Sequence, residues 1–164
     1  MTYIRRKSIN QEKRTAKEFR GRTQIASGAI ETLKGDVRTG SNLVGKFNTD
    51  DFLIENKFTD ADHYKLTLAT WNKIAKEAFR DNFRTPLMQV DVKETQLVIF
   101  DKHVFMEMGF TASLVTATKA KSFMVKENIM EGLQDHETVE IHFNIVEKTS
   151  LFVMRKDYFI SRLS

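Results

Sequence analysis

Apolar and polar positions along this chain follow two periods, and the switches between them mark its elements. Over 66–83, Trp71, Ile74, Ala75 and Ala78 recur at helical spacing behind Thr67 or Thr70, either of which can cap the helix predicted there. A second helix is predicted over 8–20, capped by Ser8 or Asn10, with a sparse stripe of Ile9, Ala16 and Phe19 and with Gly21 at its end. Asp36 and Val37 begin a short strand, and 43–47 and 51–58 read as two more, separated by the turn Asn48-Thr49-Asp50. A further strand is predicted over 87–92, after a loop that Pro86 closes. Runs at 97–100 and 151–154 each lead into a short helix, at 101–108 and 155–163. Leu97, Lys102 and Phe105 match Leu151, Lys156 and Phe159 at one constant offset. The segment 137–146 alternates in part through Val139, Ile141, Phe143 and Ile145, as a half-exposed strand does. Helices interleaved with strands predict an α/β fold, with a central mixed sheet of about five strands flanked by helices. No linker interrupts the pattern, so 1–164 is read as a single domain.

Composition narrows the class. Of 164 residues, 41% are hydrophobic and 29% charged, a globular balance that argues against bulk disorder. There is no cysteine, which excludes disulfide scaffolding, zinc–thiolate sites and cysteine nucleophiles. No apolar run approaches the roughly 18 residues of a membrane span. The basic N-terminus has no apolar stretch behind it, so a secretory signal is not expected and a cytoplasmic, soluble protein is. The net charge of +4 is modest but unevenly placed. Arg5, Arg6, Lys7, Lys13, Arg14, Lys17, Arg20 and Arg22 are opposed locally only by Glu12 and Glu18, an arrangement suited to a phosphate backbone. The four histidines, His63, His103, His136 and His142, lack metal-ligand spacing, and Trp71 and the methionines read as core.

One constellation carries chemistry. Side chains on a strand alternate with period two, so Glu55 and Lys57 share a face. They end a strand that opens with the apolar run Phe52-Leu53-Ile54, and a carboxylate and an ammonium at the end of a buried strand need a partner or a metal. The competing reading is a surface ion pair. Asp36 begins an earlier strand, and Glu12 lies on the first helix. Mg²⁺ prefers oxygen ligands and needs only one or two carboxylates, for which Asp36 and Glu55 are the candidates. Lys57 is then placed to orient a metal-bound water or to offset charge at phosphorus. The Asn56 side chain points to the other face, and its backbone carbonyl is a further candidate ligand. Asp50 and Asp51 belong to the preceding turn.

Ser27-Gly28-Ala29, Lys34-Gly35-Asp36, Leu53-Ile54-Glu55-Asn56-Lys57 and the helix carrying Trp71, Lys73 and Lys76 together resemble the Holliday-junction resolvases of phages and archaea, within the PD-(D/E)xK nuclease superfamily. The resemblance spans residues 9–92. It implies a restriction-endonuclease-like core, with 93–164 as an extension. It also implies that Asp36 and Glu55 hold Mg²⁺ (or Mn²⁺ in its place), that Lys57 is the catalytic lysine, and that Glu12, or Glu18 in second place, completes the metal site. By the same resemblance Ser27 contacts phosphate near the scissile bond, although as a bare residue it reads equally as part of a turn. Arg22, Lys34, Lys73 and Lys76 are the candidate DNA contacts, with Lys73 and Lys76 reading equally as a solvated helix face, and Gln89 is a candidate supporting polar residue. Gly35 stands where the superfamily name has proline, and 110–148 has no counterpart. The implied activity is metal-dependent cleavage of branched DNA, four-way junctions above all. The implied partner is a second copy, for which composition alone offers the Phe-rich last third as a surface; no membrane or small-molecule cofactor is expected. Cleavage of flapped, nicked or linear DNA, and DNA binding without catalysis, are the alternatives.

Overall fold

The computed structural model describes residues 3–18, 21–23, 37–39, 52–81, 83–145 and 147–163. In chain order they form α1 (Tyr3–Glu18), β1 (Gly21–Thr23), β2 (Val37–Thr39), β3 (Phe52–Thr59), β4 (His63–Thr67), α2 (Leu68–Arg80), β5 (Thr85–Val92), β6 (Thr95–Asp101), α3 (Lys102–Met108), β7 (Thr111–Thr118), β8 (Ser122–Lys126), β9 (Glu137–Phe143), β10 (Thr149–Arg155) and α4 (Lys156–Ser161). Eight strands make one mixed sheet in the order β1-β2-β3-β5-β6-β10-β9-β7, and β4 and β8 form a separate antiparallel ribbon. The pairs β3–β5 and β7–β9 are parallel and the others antiparallel. The α/β class is as expected, and the sheet is wider than expected because the last third of the chain adds β7, β9 and β10 to it.

The central elements follow from their residues. Thr67 caps α2, its hydroxyl accepting the Thr70 N–H at 3.1 Å, and the helix buries Leu68, Trp71, Ile74 and Ala78. Pro86 does not close a loop but is the second residue of β5, opposite Leu53. It is tolerated there because β6 joins β5 only from Met88 onward. The similar patterns at 97–108 and 151–163 have a simple origin. β6 and β10 are antiparallel neighbours in the middle of the sheet, each buried through four successive residues and each followed by a short helix. Helix α1 begins at Tyr3, ahead of both predicted caps. Ser8 instead lies inside it, donating to Glu12 Oε1 at 3.5 Å. The predicted strand at 43–47 lies outside the described residues, and the described antiparallel partner of β3 is β2.

Two cores lie on the two faces of the sheet. On one, Phe52, Ile54, Leu87, Phe100, Phe152 and Met154 pack against α3 and α4 through Val104, Met108 and Phe159. On the other, Met88, Val90, Leu97, Ile99, Ile141 and Val153 pack against Trp71 and Ile74 of α2 and against Leu66 and Val125 of the ribbon. Of the phenylalanines in the last third, Phe100, Phe143, Phe152 and Phe159 are buried and Phe105 and Phe123 half-buried. Among the described residues, no helix is long and apolar enough to cross a membrane.

Candidate active site

Strand β3 carries different chemistry on its two faces. Phe52 and Ile54 face the α3–α4 core, and Asn56 continues that face. Leu53, Glu55 and Lys57 alternate to the other face, beside Met88 and Val90 of β5 in register. Glu55 Oε1 lies 3.4 Å from Lys57 Nζ, with the side chains 21% and 35% exposed. The pair is therefore neither sealed in the core nor freely solvated. Beside it, β5 pairs with β3 along its full length, and among the described residues β2 pairs with it at Leu53 and Ile54. The described ladder between β2 and β3 includes Val37 opposite Ile54. In the sequence, these two residues are the immediate neighbours of Asp36 and Glu55.

Tyr64, on β4, joins this face of the site. Burial pushes its phenol up to about 12, and the negative charge of Glu55 adds to the effect. The sequence reading gave Tyr64 no role. Its only signal was position, just past the Asp60-Ala61-Asp62 turn that follows the Glu-x-Lys strand.

The opposite face is held by α1 through polar contacts. Gln11 Nε2 donates to the Lys57 backbone carbonyl at 2.8 Å and to Gln89 Oε1 at 3.1 Å. The Thr15 hydroxyl lies 2.8 Å from Asn56 Oδ1 and 3.3 Å from Gln89 Oε1. Gln89 Nε2 in turn donates to Asp91 Oδ1 at 2.5 Å, and Arg14 pairs with the same carboxylate. Asn56 and Gln89 are register partners on parallel strands. The sheet face thus turns from apolar to polar where α1 replaces α3 and α4 as its cover. Gln89, expected as a supporting polar residue, is fully buried and supports α1 rather than the Glu55–Lys57 side.

The remaining expected residues fall in several places. Glu12 belongs to the layer over the Asn56 face, whereas Glu55 and Lys57 point the other way. Asn56 is buried with its side chain toward α1. Lys73 and Lys76 are exposed on α2, which covers the same sheet face as the pair. Arg22 lies on β1. Asp36, Ser27 and Lys34 lie outside the described residues. Arg5, Arg6, Lys13, Arg14 and Lys17 of α1 are exposed. Lys7 pairs with Asp60, whose hydrogen bond raises the lysine's pKa, and its ammonium sits 5.0 Å from the centre of the Phe58 ring.

Among the described residues, no group of three or more His, Asp or Glu side chains is gathered as a metal cage. A Mg²⁺ site of the kind expected needs fewer, because that ion keeps most of its waters. One carboxylate beside an ammonium suits a hard cation and an anionic substrate better than it suits a soft metal. No family model matches the chain, and no curated protein or solved structure matches it either.

Proposed function

We propose that this chain is a metal-dependent endonuclease acting on branched DNA, with a core of the restriction-endonuclease type. The observation that carries the reading is the Glu55–Lys57 pair on β3, held 3.4 Å apart and partly buried. Val37 pairs with Ile54, which supports Asp36 as the second carboxylate, since each residue of that pair adjoins one of the two acids in sequence. Asp36 and Glu55 would hold Mg²⁺ or Mn²⁺, which supplies Lewis-acid polarisation of the phosphate and an acidified water. Lys57 holds the Glu55 carboxylate in orientation and presents a positive charge toward the phosphate oxygens. Tyr64, neutral at ordinary pH, lies on the core side of the site with Glu55 near its phenol. The basic α1, together with Lys73 and Lys76, supplies cations for the DNA backbone.

Symmetric cutting of a four-way junction requires two such sites, hence a homodimer. The test is cleavage of a labelled four-way junction beside a linear duplex of matched sequence, in Mg²⁺ and in EDTA, with Glu55→Ala as control. Paired nicks near the branch point that need Mg²⁺ and vanish in Glu55→Ala are the expected result. Equal cutting of both DNAs would retain the site and discard junction selectivity. Tight binding with no cutting would assign a DNA-binding role instead.

A further inference from the structure

β7 is the last strand of the eight-stranded sheet, and among the described residues only β9 pairs with it. Its sequence, Thr-Ala-Ser-Leu-Val-Thr-Ala-Thr, has no charge and no proline. Leu114 is 49% exposed and Val115 60%. Monomeric proteins usually protect such an edge with lysine, proline or a covering element. Here the one irregularity is a bulge between Ala112 and Leu114, after which the register with β9 runs unbroken from Leu114 to Thr118.

The ladder fixes which backbone groups remain open. In a parallel pair, the N–H and C=O of one residue point to the same side, and the side alternates along the strand. The Thr118 carbonyl accepts the Asn144 N–H at 2.7 Å and so faces β9. Leu114 and Thr116 share its orientation, and the polar groups of Val115 and Ala117 face outward.

We propose that β7 is the homodimer interface, pairing antiparallel with β7 of a second copy about a two-fold axis at Thr116. That register sets Val115 opposite Ala117 of the second copy, so that every outward N–H and C=O of these two residues finds a partner. It joins the two large sheets into one. A two-fold interface brings a surface against itself, and an uncharged strand meets its own copy without repulsion. A phosphate backbone would find no cation on this strand. The interface gives the homodimer required by the nuclease reading a specific location. It also stands or falls apart from cleavage, because its readouts are mass and cross-linking.

Sedimentation velocity on the full chain should give a species of twice 19.0 kDa. Val115→Pro removes an outward N–H that no described strand of the monomer pairs with, and it should weaken dimerisation about a hundred-fold while leaving the thermal transition of the monomer in place. Opposed residues in a non-hydrogen-bonded antiparallel pair lie about 4.5 Å apart at Cα, within disulfide range. Since the chain has no cysteine, Thr116→Cys should give a covalent dimer on mild oxidation, and Glu107→Cys on exposed α3 should not. A monomer at every concentration would overturn the proposal. So would a dimer that Val115→Pro leaves intact, or a Thr116→Cys chain that cross-links no faster than the Glu107→Cys control. Should Val115→Pro fail to fold, the cross-linking comparison decides alone.

Discussion

The Gln11 side chain reaches Gln89 across the seam between α1 and the sheet, amide to amide at 3.1 Å, and both are buried. A helix laid on a sheet usually buries an apolar stripe, yet among the described side chains of α1 the buried ones are Gln11 and Thr15. Its attachment therefore depends on hydrogen bonds that must all be made at once, since an orphaned buried amide costs more than a made one contributes. Gln89→Leu should destabilise the protein by about 1–3 kcal/mol and Thr15→Val by about 1 kcal/mol. The double variant should lose less than the sum, because the two share a contact. Urea denaturation of the four proteins checks this, and strict additivity would show that the residues act separately.

Glu55 and Lys57 should behave in the opposite way. A partly exposed ion pair contributes little to stability, so Glu55→Gln and Lys57→Met should each shift it by less than about 1 kcal/mol. On the nuclease reading, each should lower Mg²⁺-dependent cleavage at least a hundred-fold, roughly the effect of removing one charge-stabilising group from an active site. A large loss of stability with cleavage unchanged would make the pair an element of the fold.

Tyr64 gives a pH dependence of definite sign. Its phenol is pushed up to about 12, from 10.0, by burial and then by Glu55. Between those values the unfolded chain releases the proton and the folded chain keeps it, so the contribution of Tyr64 to stability is intact below pH 10 and lost as pH rises toward 12. Tyr64→Phe should flatten this part of the stability profile. In a phenolate absorption titration, the wild-type-minus-variant difference should show its midpoint near 12. A midpoint near 10 would mean the ring is solvated.

Gly109 ends α3 in the left-handed region, φ 69°, with its N–H donating to the Met106 carbonyl. A Cβ there would meet nothing within 4 Å, so the cost of substitution is backbone strain alone. Gly109→Ala should destabilise by about 1 kcal/mol and Gly109→Asn by less, measured as the shift in thermal midpoint.

Much of this architecture can be read from local sequence. Periodicity places α2, β5, β6 and β10 to within a few residues, and strand alternation alone puts Glu55 beside Lys57. The face of α1 is not legible in this way. Its inward side is marked by Gln11 and Thr15, residues that look like surface until the polar stretch of the sheet beneath them is known. The same holds for Gln89, which reads as support for the Glu55 side and instead anchors the helix on the other. Tyr64 is invisible for a related reason: its nearness to Glu55 depends on the turn of the chain from β3 into β4, and neither residue's pattern records it. The last third looks like an appendage in sequence because its strands pair with one another and with β6 across long separations.

The β4–β8 ribbon has a consequence for how the chain closes. Each parallel pair in the sheet needs an excursion over its face, and β4 lies in the excursion between β3 and β5, β8 in the one between β7 and β9. Because β4 pairs with β8, and Leu68 N–H donates to the Lys121 carbonyl beside them, the two excursions clasp each other. Neither half of the sheet can complete its cover without the other, so residues far apart along the chain must be brought together before either half is secure. The molecule is built to fold and to melt as one body.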